Sequence, residues 1–596
     1  MSKEAHYNGG NFLIRSCFGD DIFISEDWSE DQKMIRKTVD DFIDQEIKPV
    51  YQRIESLEDG LTPAIMEKFA ELGLFGTHMP EIYGGSYMDF ITNCLIAEAV
   101  GPSGSFSVSY NAHTGIGMLP VLYFGTEEQK QKYLPGLISG KLKSSYCLTE
   151  PSSGSDALSA KTLAVLSTDK KYYILNGQKM WITNAGFADI FTVFAQIDGD
   201  KFTAFIIERS AAGLSFGEEE HKLGIKGSST RQVFLENVSV PVENLLGEIG
   251  KGHHIAFSVL NIGRLKLGVS TLGGAKMLCS HAIQYANQRI QFKQPISSFG
   301  AIQHKLAEMA IRCFVTDATI YRTAWMVQLT EEKAMKDGKS FAGSRLDAAE
   351  EFALECAILK ILGSETLDYC ADETLQIFGG MGYSEDGHIA RAYRDSRINR
   401  IFEGTNEINR MLMINTIFKK AMKGELDIIT PAMNVQKELL EDNHPGESTE
   451  SAFPEEYKAI ASFKKILMMF LGTAGQMTMS GQIDLKNEQE VLMYLADMVS
   501  DVYTAESALL KTTKVIGRLP ESKQKLYSEL LKTYFHDVNL RMYNNGINTI
   551  AALISDDLQS GYVSGLRKFT KYPIQPVKKF RRSIAEFLNS SNQYAF

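Results

Sequence analysis

The sequence predicts an α+β protein that is mostly helical and is divided into several domains. With 596 residues, the chain is too long for a single hydrophobic core. Apolar residues recur at helical spacing in the first and last parts of the chain, whereas the segment between them alternates as strands do. A polar stretch at 433–454 then separates a last helical segment. The predicted order is a helical domain at 27–145, a middle β domain at 146–247, a second helical domain at 248–423, a linker at 424–455 and a helical extension at 456–596.

Capping and turn signals justify the first elements. Ser29 with Gln32, and Thr126 with Gln129, form capping-box pairs that start helices. In the β domain, Asn176–Gly177 is a strong signal for a tight turn between two strands. Strands are therefore predicted on both sides of this turn within 171–183, and further strands at 190–197, 202–208 and 232–240.

Composition excludes several classes of function. The net charge is −11 and no long basic run occurs before the C-terminal end, which argues against a nucleic-acid partner. The seven cysteines are scattered without C-x-x-C pairs, so free thiols in a reducing compartment are expected and no metal site is. The first residues carry no targeting signal and no uninterrupted apolar run reaches about 18 residues. We expect a cytoplasmic protein, or a matrix-like location for a processed form, without a membrane span.

The segment I-F-E-G-T-N-E at 401–407 carries a candidate general base. Glu403 follows two large apolar residues, which can desolvate its carboxylate and raise its pKa. Gly404 lets the backbone approach a ligand closely, and Thr405 and Asn406 can cap a helix whose N-terminus favours anions. Taken alone, a glutamate before a glycine is more often a solvated turn carboxylate.

Two segments around the β domain are candidates for cofactor contacts. The segment Y-C-L-T-E-P-S-S-G-S-D at 146–156 offers hydroxyl groups and a glycine that can donate to a flavin or a phosphate, although a polar turn explains it equally well. The segment K-M-W-I-T at 179–183 places Trp181 on a strand. A strand tryptophan without further context belongs more often to a core.

Two later segments add an arginine fork and a glycine cluster. Arg289 in R-I-Q-F, followed by Gln303, can pair with a pyrophosphate, although an arginine near a helix end is usually solvated. The glycines of Q-I-F-G-G-M-G-Y at 376–383 permit close backbone approach or simply form a loop after a helix. Other chemistries lack their motifs: 338–340 looks like the end of a P-loop, but Lys333 stands where its first glycine belongs, and no G-x-S-x-G or H-E-x-x-H occurs.

Together and in this order, these segments resemble the acyl-CoA dehydrogenase family over roughly 27–420, and the region beyond the linker resembles the extension of its very-long-chain branch. The resemblance implies an N-terminal helical domain, a middle β domain and a four-helix domain, with FAD bound between the last two. The residues implied to contact FAD within one chain are Tyr146, Leu148, Thr149, Gly154, Ser155, Trp181, Ile182, Thr183, Thr405 and Asn406. Those implied to reach FAD across a dimer interface are Arg289, Phe292, Gln303, Gln376, Gly379 and Gly380.

The resemblance also implies a reaction and a base. Glu403 would remove the α-proton of an acyl-CoA while FAD takes the β-hydride, giving a trans-2-enoyl-CoA in fatty acid β-oxidation. Some branches carry the base on a helix before an arginine, but here that position is Gly263, which cannot abstract a proton. The implied substrate contacts are Ser155, Asn261, Arg264 and Gly404, and Asn261 stands where the family often has Asp.

Further expectations concern partners and substrate size. The resemblance implies a homodimer that passes electrons to an electron-transfer flavoprotein; an acyl-CoA oxidase and an assembly factor for a membrane respiratory complex are the alternatives. Small residues at 101–109 favour a long-chain substrate, or else a tight helix crossing. One face of the extension, with basic residues nearby and in the tail, predicts peripheral membrane contact, or else packing of this face on the rest of the protein with a solvated tail. That face consists of Tyr457, Ile460, Phe463, Leu467, Phe470 and Leu471.

Overall fold

A computed structural model describes residues 8–15, 22–440 and 451–596. The predicted Ser29 and Thr126 capping boxes are both present and start α1 and α7. A π-helical turn at Ala112–Gly117 follows α5 directly. The helices of the first domain are α1 (Glu30–Phe42), α2 (Tyr51–Glu55), α3 (Leu61–Glu71), α4 (Phe90–Val100), α5 (Ser105–Asn111), α6 (Leu119–Phe124) and α7 (Glu127–Ile138).

The β domain is one sheet in the order β6-β7-β3-β2-β4-β5-β8, with β1 pairing with β4 in parallel. β4 and most of β5 are buried along their length, so both faces of the sheet are covered at these strands. Its strands are β1 (Ser144–Cys147), β2 (Leu163–Leu166), β3 (Tyr172–Thr183), β4 (Ile190–Ile197), β5 (Lys201–Glu208), β6 (Leu214–Glu219), β7 (Thr230–Pro241) and β8 (Leu245–Leu246).

The predicted turn at Asn176–Gly177 is wrong. β3 runs through both residues, and its pairing with β7 shifts register between Leu175 and Gly177, which is a β-bulge. A Cβ at Gly177 would lie 2.4 Å from Thr162 Oγ1, so the glycine allows β2 to approach rather than allowing the chain to reverse.

In the second helical domain, α8, α9, α11 and α14 pack around a common core. By length and composition α8 is able to cross a membrane, but 72% of its most apolar window is buried inside the protein. A short hairpin, β9 (Ile290–Gln291) and β10 (Gln294–Pro295), joins α8 to α9. The helices are α8 (Gly252–Gln288), α9 (Gly300–Lys336), α10 (Phe341–Glu351), α11 (Ala353–Phe378), α12 (Gly380–Tyr383), α13 (His388–Arg397) and α14 (Asn406–Met422).

The linker prediction for 424–455 is wrong in part, because Ile429–Leu440 form a helix, α15. Its apolar residues Ala432, Val435 and Leu439 have helical spacing and pack against the extension. The remainder of the polar stretch at 441–450 lies outside the described residues. The extension itself consists of α16 (Pro454–Met479), α17 (Gln489–Ile516), α18 (Glu521–Leu553), α19 (Asp556–Phe569) and α20 (Val577–Ser591).

The apolar face of α16 that predicted membrane contact is buried inside the protein. The prediction that this face binds a membrane is therefore wrong. Ile460 and Phe463 belong to the same core as α9 and α17, because an amphipathic helix on a globular body buries its apolar face. In the tail, Arg581 pairs with Glu308 and Asp537. Membrane contact through the other basic residues stays a prediction.

Gly101, the first of the small residues at 101–109, serves a helix crossing. A Cβ at Gly101 would lie 2.0 Å from the Ser270 carbonyl oxygen, and one at Gly273 would lie 1.9 Å from the Glu98 carbonyl oxygen. The backbones of α4 and α8 therefore meet directly at these glycines. Of this segment, only Ser107 and Val108 line the main cavity. Gly101 therefore does not support the prediction that the small residues of this segment leave extra volume for a long acyl chain.

Candidate active site

A cavity of about 870 Å³ lies between the first helical domain, the β domain and the second helical domain. Most residues predicted for the flavin and the substrate within one chain come together on its wall, although they belong to segments far apart in sequence. They are Tyr146, Leu148, Thr149, Gly154, Ser155, Trp181, Ile182, Thr183, Asn261, Arg264, Glu403 and Gly404.

The loop before α14 presents Glu403 to this cavity. Glu403 has φ +58° and Gly404 has φ +81°, both in the left-handed region. For a residue with a Cβ this conformation costs on the order of 1 kcal/mol. The Thr405 Oγ1 accepts a hydrogen bond from the Ile408 N–H at 3.2 Å and so caps α14. The cap fixes the loop, and the strained backbone turns the carboxylate inward.

The Glu403 carboxylate is poorly solvated. Its Oε2 is enclosed and accepts no hydrogen bond from the described residues. Burial raises the pKa of Glu403 to about 7, although the charges of Arg264 and Lys360 act in the opposite direction. A carboxylate with a pKa near neutral pH is suited to remove a proton from carbon, which the sequence argument for Glu403 also expected.

Gly263 on α8 faces this carboxylate. A Cβ at Gly263 would lie 2.7 Å from Glu403 Oε2. In the family that the sequence resembles, the base stands at one of two positions. Here these two positions lie next to each other in space. A side chain on α8 at this point would displace the Glu403 carboxylate, so the glycine and the glutamate fit each other.

Arg264 and Asn261 form a pair beside the base. The Arg264 Nη1 donates to Asn261 Oδ1 at 2.7 Å, and its Nε donates to the Glu403 carbonyl oxygen at 3.4 Å. Arg264 thus holds the backbone of the base in place as well as lining the cavity. Since Arg264 already occupies the Asn261 amide oxygen, the amide NH₂ is the group that Asn261 can offer to a substrate.

The opposite wall comes from the ends of β1 and β3. Trp181 has φ +60° and is 52% exposed toward the cavity rather than packed in a core. The Tyr146 hydroxyl is buried without a hydrogen-bond partner in the described chain, and burial followed by the charge of Glu403 raises its pKa. This wall therefore combines a flat aromatic surface with a hydroxyl group that lacks a partner.

A buried ion pair holds this wall together, and sequence reasoning missed it. The Lys179 Nζ donates to Glu150 Oε1 at 2.6 Å, and the Glu150 carboxylate also accepts from the Lys161 and Thr162 N–H groups. The Met180 N–H donates to the Thr149 carbonyl at 2.9 Å. Glu150 and Lys179 each stood inside a recognised motif, but nothing local showed that they pair with one another.

Thr405 and Asn406 do not line the cavity. Asn406 is buried, and its Oδ1 accepts from Lys360 Nζ at 2.7 Å while its Nδ2 donates to Ser364 Oγ and Glu365 Oε1. Burial lowers the pKa of Lys360 to about 8, and the Glu403 charge opposes this shift. In this single chain both residues therefore have capping and packing roles, and Lys360 is a cation near the base that no motif signalled.

The residues implied to reach FAD across a dimer lie on the outer surface of the same chain. Phe292 is 88% exposed at the tip of the β9–β10 hairpin, and Gln376, Gly379 and Gly380 are exposed at the end of α11. They are outside the cavity of their own chain, which is the placement required of residues that contribute to a partner's site. The full set is Arg289, Phe292, Gln303, Gln376, Gly379 and Gly380.

The cavity wall fits an isoalloxazine ring. The exposed Trp181 offers an aromatic face, and Tyr146, Thr149 and Thr183 on the same wall carry hydroxyl groups. Gly154 has no heavy atom within 4 Å of a built Cβ, so a ligand can approach its backbone closely. These are the contacts that a planar, polar-edged cofactor needs.

Comparison with known proteins identifies the family. Profiles described as the N-terminal, middle and C-terminal domains of acyl-CoA dehydrogenase match residues 29–141, 145–238 and 250–418, and a further acyl-CoA dehydrogenase C-terminal domain matches 462–568. The chain is 45% identical to a probable acyl-CoA dehydrogenase of Bacillus subtilis (strain 168) over the full length of both proteins. It is 40% identical to the mitochondrial very long-chain specific acyl-CoA dehydrogenase of Rattus norvegicus over 62% of this chain and 57% of that protein.

A solved structure resembles the whole chain. The crystal structure of an acyl-CoA dehydrogenase complexed with FAD from Bacillus anthracis has a TM-score of 0.95 and 43% sequence identity, covering 99% of this chain and 100% of that one. The predicted fold, with its three domains and helical extension, is thereby confirmed. The chain belongs to the acyl-CoA dehydrogenase family of FAD-dependent oxidoreductases.

Proposed function

We propose that this protein dehydrogenates a long-chain acyl-CoA to the trans-2-enoyl-CoA in fatty acid β-oxidation, with Glu403 as the base. The observation that carries the proposal is the Glu403 carboxylate, whose Oε2 is buried without a hydrogen-bond partner in the described chain and lies directly against Gly263. The pKa of Glu403, raised to about 7 by burial, makes its carboxylate a competent proton acceptor near neutral pH.

The loop at Glu403 also offers a donor for the thioester carbonyl. Within the described chain, no backbone carbonyl accepts the Glu403 N–H. A thioester carbonyl bound there would be polarised as its α-proton leaves, which is the role of an oxyanion hole. Arg264 fixes this loop through the Glu403 carbonyl oxygen. FAD, when bound, supplies the hydride acceptor that no side chain can provide.

A long chain is proposed on the basis of relatives, which include enzymes named as very long-chain specific. We expect anaerobic reduction of the flavin by acyl-CoAs from C4 to C20, with the highest kcat/KM among the longer chains. A maximum at C4 to C6 would contradict the long-chain proposal, and no flavin reduction by any acyl-CoA would contradict the reaction itself.

The proposed electron acceptor is an electron-transfer flavoprotein. Trp181 lies at the open edge of the predicted flavin wall, where a redox partner can approach. We expect turnover with such a partner or an artificial acceptor, and little peroxide per turnover under air. Stoichiometric peroxide would instead identify an acyl-CoA oxidase.

A homodimer is proposed because the site is incomplete in one chain. Phe292 and the glycines at 379–380 are exposed, and they lie outside their own chain's cavity. We expect light scattering to give a dimer, and Phe292→Asp to weaken both dimer formation and FAD retention, because a charge would be buried in the interface. Lys33→Asp, at an exposed position on α1, is the matched control. A Phe292→Asp protein that remains dimeric with full FAD would contradict the proposal.

A further inference from the structure

The inner end of the active-site cavity is polar. Beyond Gly263, successive turns of α8 place Lys266 and Ser270 on the cavity wall, and α5 places Ser107 and Asn111 on the wall opposite. Ser270 follows Gly263 by seven positions on α8, which corresponds to about 10 Å along the helix axis. Along α8, these polar groups thus lie farther from Asn261, a residue implied to contact the substrate, than Gly263 beside the base does.

A hydrogen bond between α5 and α8 joins the two walls of the cavity. The Asn111 Nδ2 donates to Ser270 Oγ at 3.1 Å and to Ser107 Oγ at 3.3 Å. The Ser270 Oγ in turn donates to the Ala97 carbonyl oxygen at 3.1 Å. The Asn111 Oδ1 is buried and has no partner among the described residues. The Asn111 amide therefore links α5 to α8 where the cavity ends, although its oxygen accepts no hydrogen bond from the described residues.

Lys266 adjoins this link and is an unusual residue for an acyl pocket. Its Nζ donates to the Thr114 carbonyl oxygen at 3.5 Å, and it forms no ion pair with any described acidic residue. Burial, followed by the charge of Arg345, lowers the pKa of Lys266 to about 8. An ammonium group without an acidic partner makes this part of the wall unfavourable for a methyl-terminated chain.

Behind Lys266 lies a second, small cavity of about 20 Å³. Lys266 lines both cavities, so its side chain is a partition between them. The apolar side chains of Phe90, Leu119 and Tyr123 line the space behind it. A shorter side chain at 266 would join this space to the main cavity.

We propose that Lys266 together with the Asn111–Ser270 hydrogen bond forms the end wall of the acyl site and sets the longest acyl chain that the enzyme uses efficiently. The inference rests on the proposed dehydrogenation and specifies its substrate limit. Each methylene added before the wall gains about fourfold in kcat/KM from apolar burial. A methylene that reaches the wall must break the Asn111–Ser270 bond or press against the ammonium group, which costs roughly tenfold.

The test compares chain-length profiles of wild type and wall variants. Anaerobic stopped-flow flavin reduction gives the relative kcat/KM for saturated acyl-CoAs from C4 to C20 with the holoenzyme. Lys266→Met removes the charge at nearly constant volume, Lys266→Ala also opens the second cavity, and Asn111→Ala removes the link from the opposite wall. We expect Lys266→Ala and Asn111→Ala each to move the maximum to longer chains by at least two carbons and to raise kcat/KM about tenfold for chains just beyond the wild-type maximum.

Lys266→Met should raise the rates of the same chains without joining the cavities, which separates charge from volume. Lys33→Met, at an exposed lysine on α1, should give the wild-type profile. Profiles of Lys266→Ala and Asn111→Ala that superimpose on wild type would overturn the end-wall proposal, whereas a wild type that no acyl-CoA reduces would overturn the proposed function instead. If one variant fails to fold, the variant on the other helix decides the same question.

Discussion

Replacing Glu403 with Gln lowers the rate of flavin reduction by acyl-CoA by about 10²- to 10⁴-fold, which is the usual contribution of a general base. The amide has nearly the same shape but cannot accept the α-proton. The second base position of the family is Gly263, which lies against Glu403 and cannot accept a proton. Loss of reduction should be accompanied by normal FAD content and normal binding of acyl-CoA.

Glu407→Gln is the matched control, because Glu407 belongs to the same loop-and-helix segment but is exposed and does not line the cavity. Its rate should stay within about twofold of wild type, as expected for a surface substitution. Stopped-flow bleaching of the flavin measures both variants. A Glu403→Gln protein that is reduced nearly as fast as wild type would remove Glu403 from its assigned role.

The same carboxylate predicts a pH dependence. The pKa of Glu403 is raised to about 7 by burial, and only the ionised form accepts a proton. The kcat/KM for flavin reduction should therefore rise with pH, about tenfold per unit below the pKa, and level off above it. The residual rate of Glu403→Gln should lack this step, because its amide does not titrate. A wild-type rate that falls between pH 6 and pH 8 would contradict the assignment.

Two apolar residues before Glu403 and a glycine after it predicted a desolvated carboxylate, and its Oε2 is buried. Taken alone this pattern is more typical of a solvated turn, so the choice of Glu403 and of the flavin wall depended on the joint occurrence of several motifs that resemble one family. The Asn111–Ser270 link and the Glu150–Lys179 pair were not predictable in this way. Each joins residues far apart in the chain, and a lone asparagine or lysine in a helix or strand carries no sign of its partner.

Predictions about the fold were correct where the signal was local and wrong where a distant residue decided the structure. Capping boxes at Ser29 and Thr126 depend on side chains three residues apart, and both form as predicted. The signal at Asn176–Gly177 failed because Thr162, which directly precedes β2, lies against Gly177 and requires a glycine there. The apolar face of α16 likewise predicted burial correctly but not its partner, since the sequence cannot distinguish a lipid surface from the side of α17.

A buried electrostatic link between the extension and the catalytic body centres on Asp317 in α9. Its Oδ2 accepts from Lys276 on α8 at 2.6 Å, and its Oδ1 accepts from Lys511 on α17 at 2.5 Å. The Ser25 Oγ donates to the same Oδ1 at 2.7 Å. Both lysines hold the pKa of Asp317 well below its usual range despite its burial. One carboxylate thus connects α8, α9, the extension and the N-terminal segment.

Asp317→Asn should lower the free energy of unfolding by about 3–5 kcal/mol, because it removes the counter-charge that two buried ammonium groups share. Glu30→Gln, which breaks an exposed pair with Lys33, should cost less than about 1 kcal/mol. Urea unfolding of the holoenzyme at fixed protein and FAD concentration measures both.

The sign of the pH dependence follows from the depressed pKa of Asp317. Its stabilisation is fully present above the unfolded value of about 4 and is lost as the pH falls through the folded value. The difference between wild type and Asp317→Asn should therefore be constant from pH 5 to pH 8 and shrink only below about pH 4. Equal stability of the two proteins at pH 7 would show that the Asp317 carboxylate does not stabilise the contact between the extension and the rest of the chain.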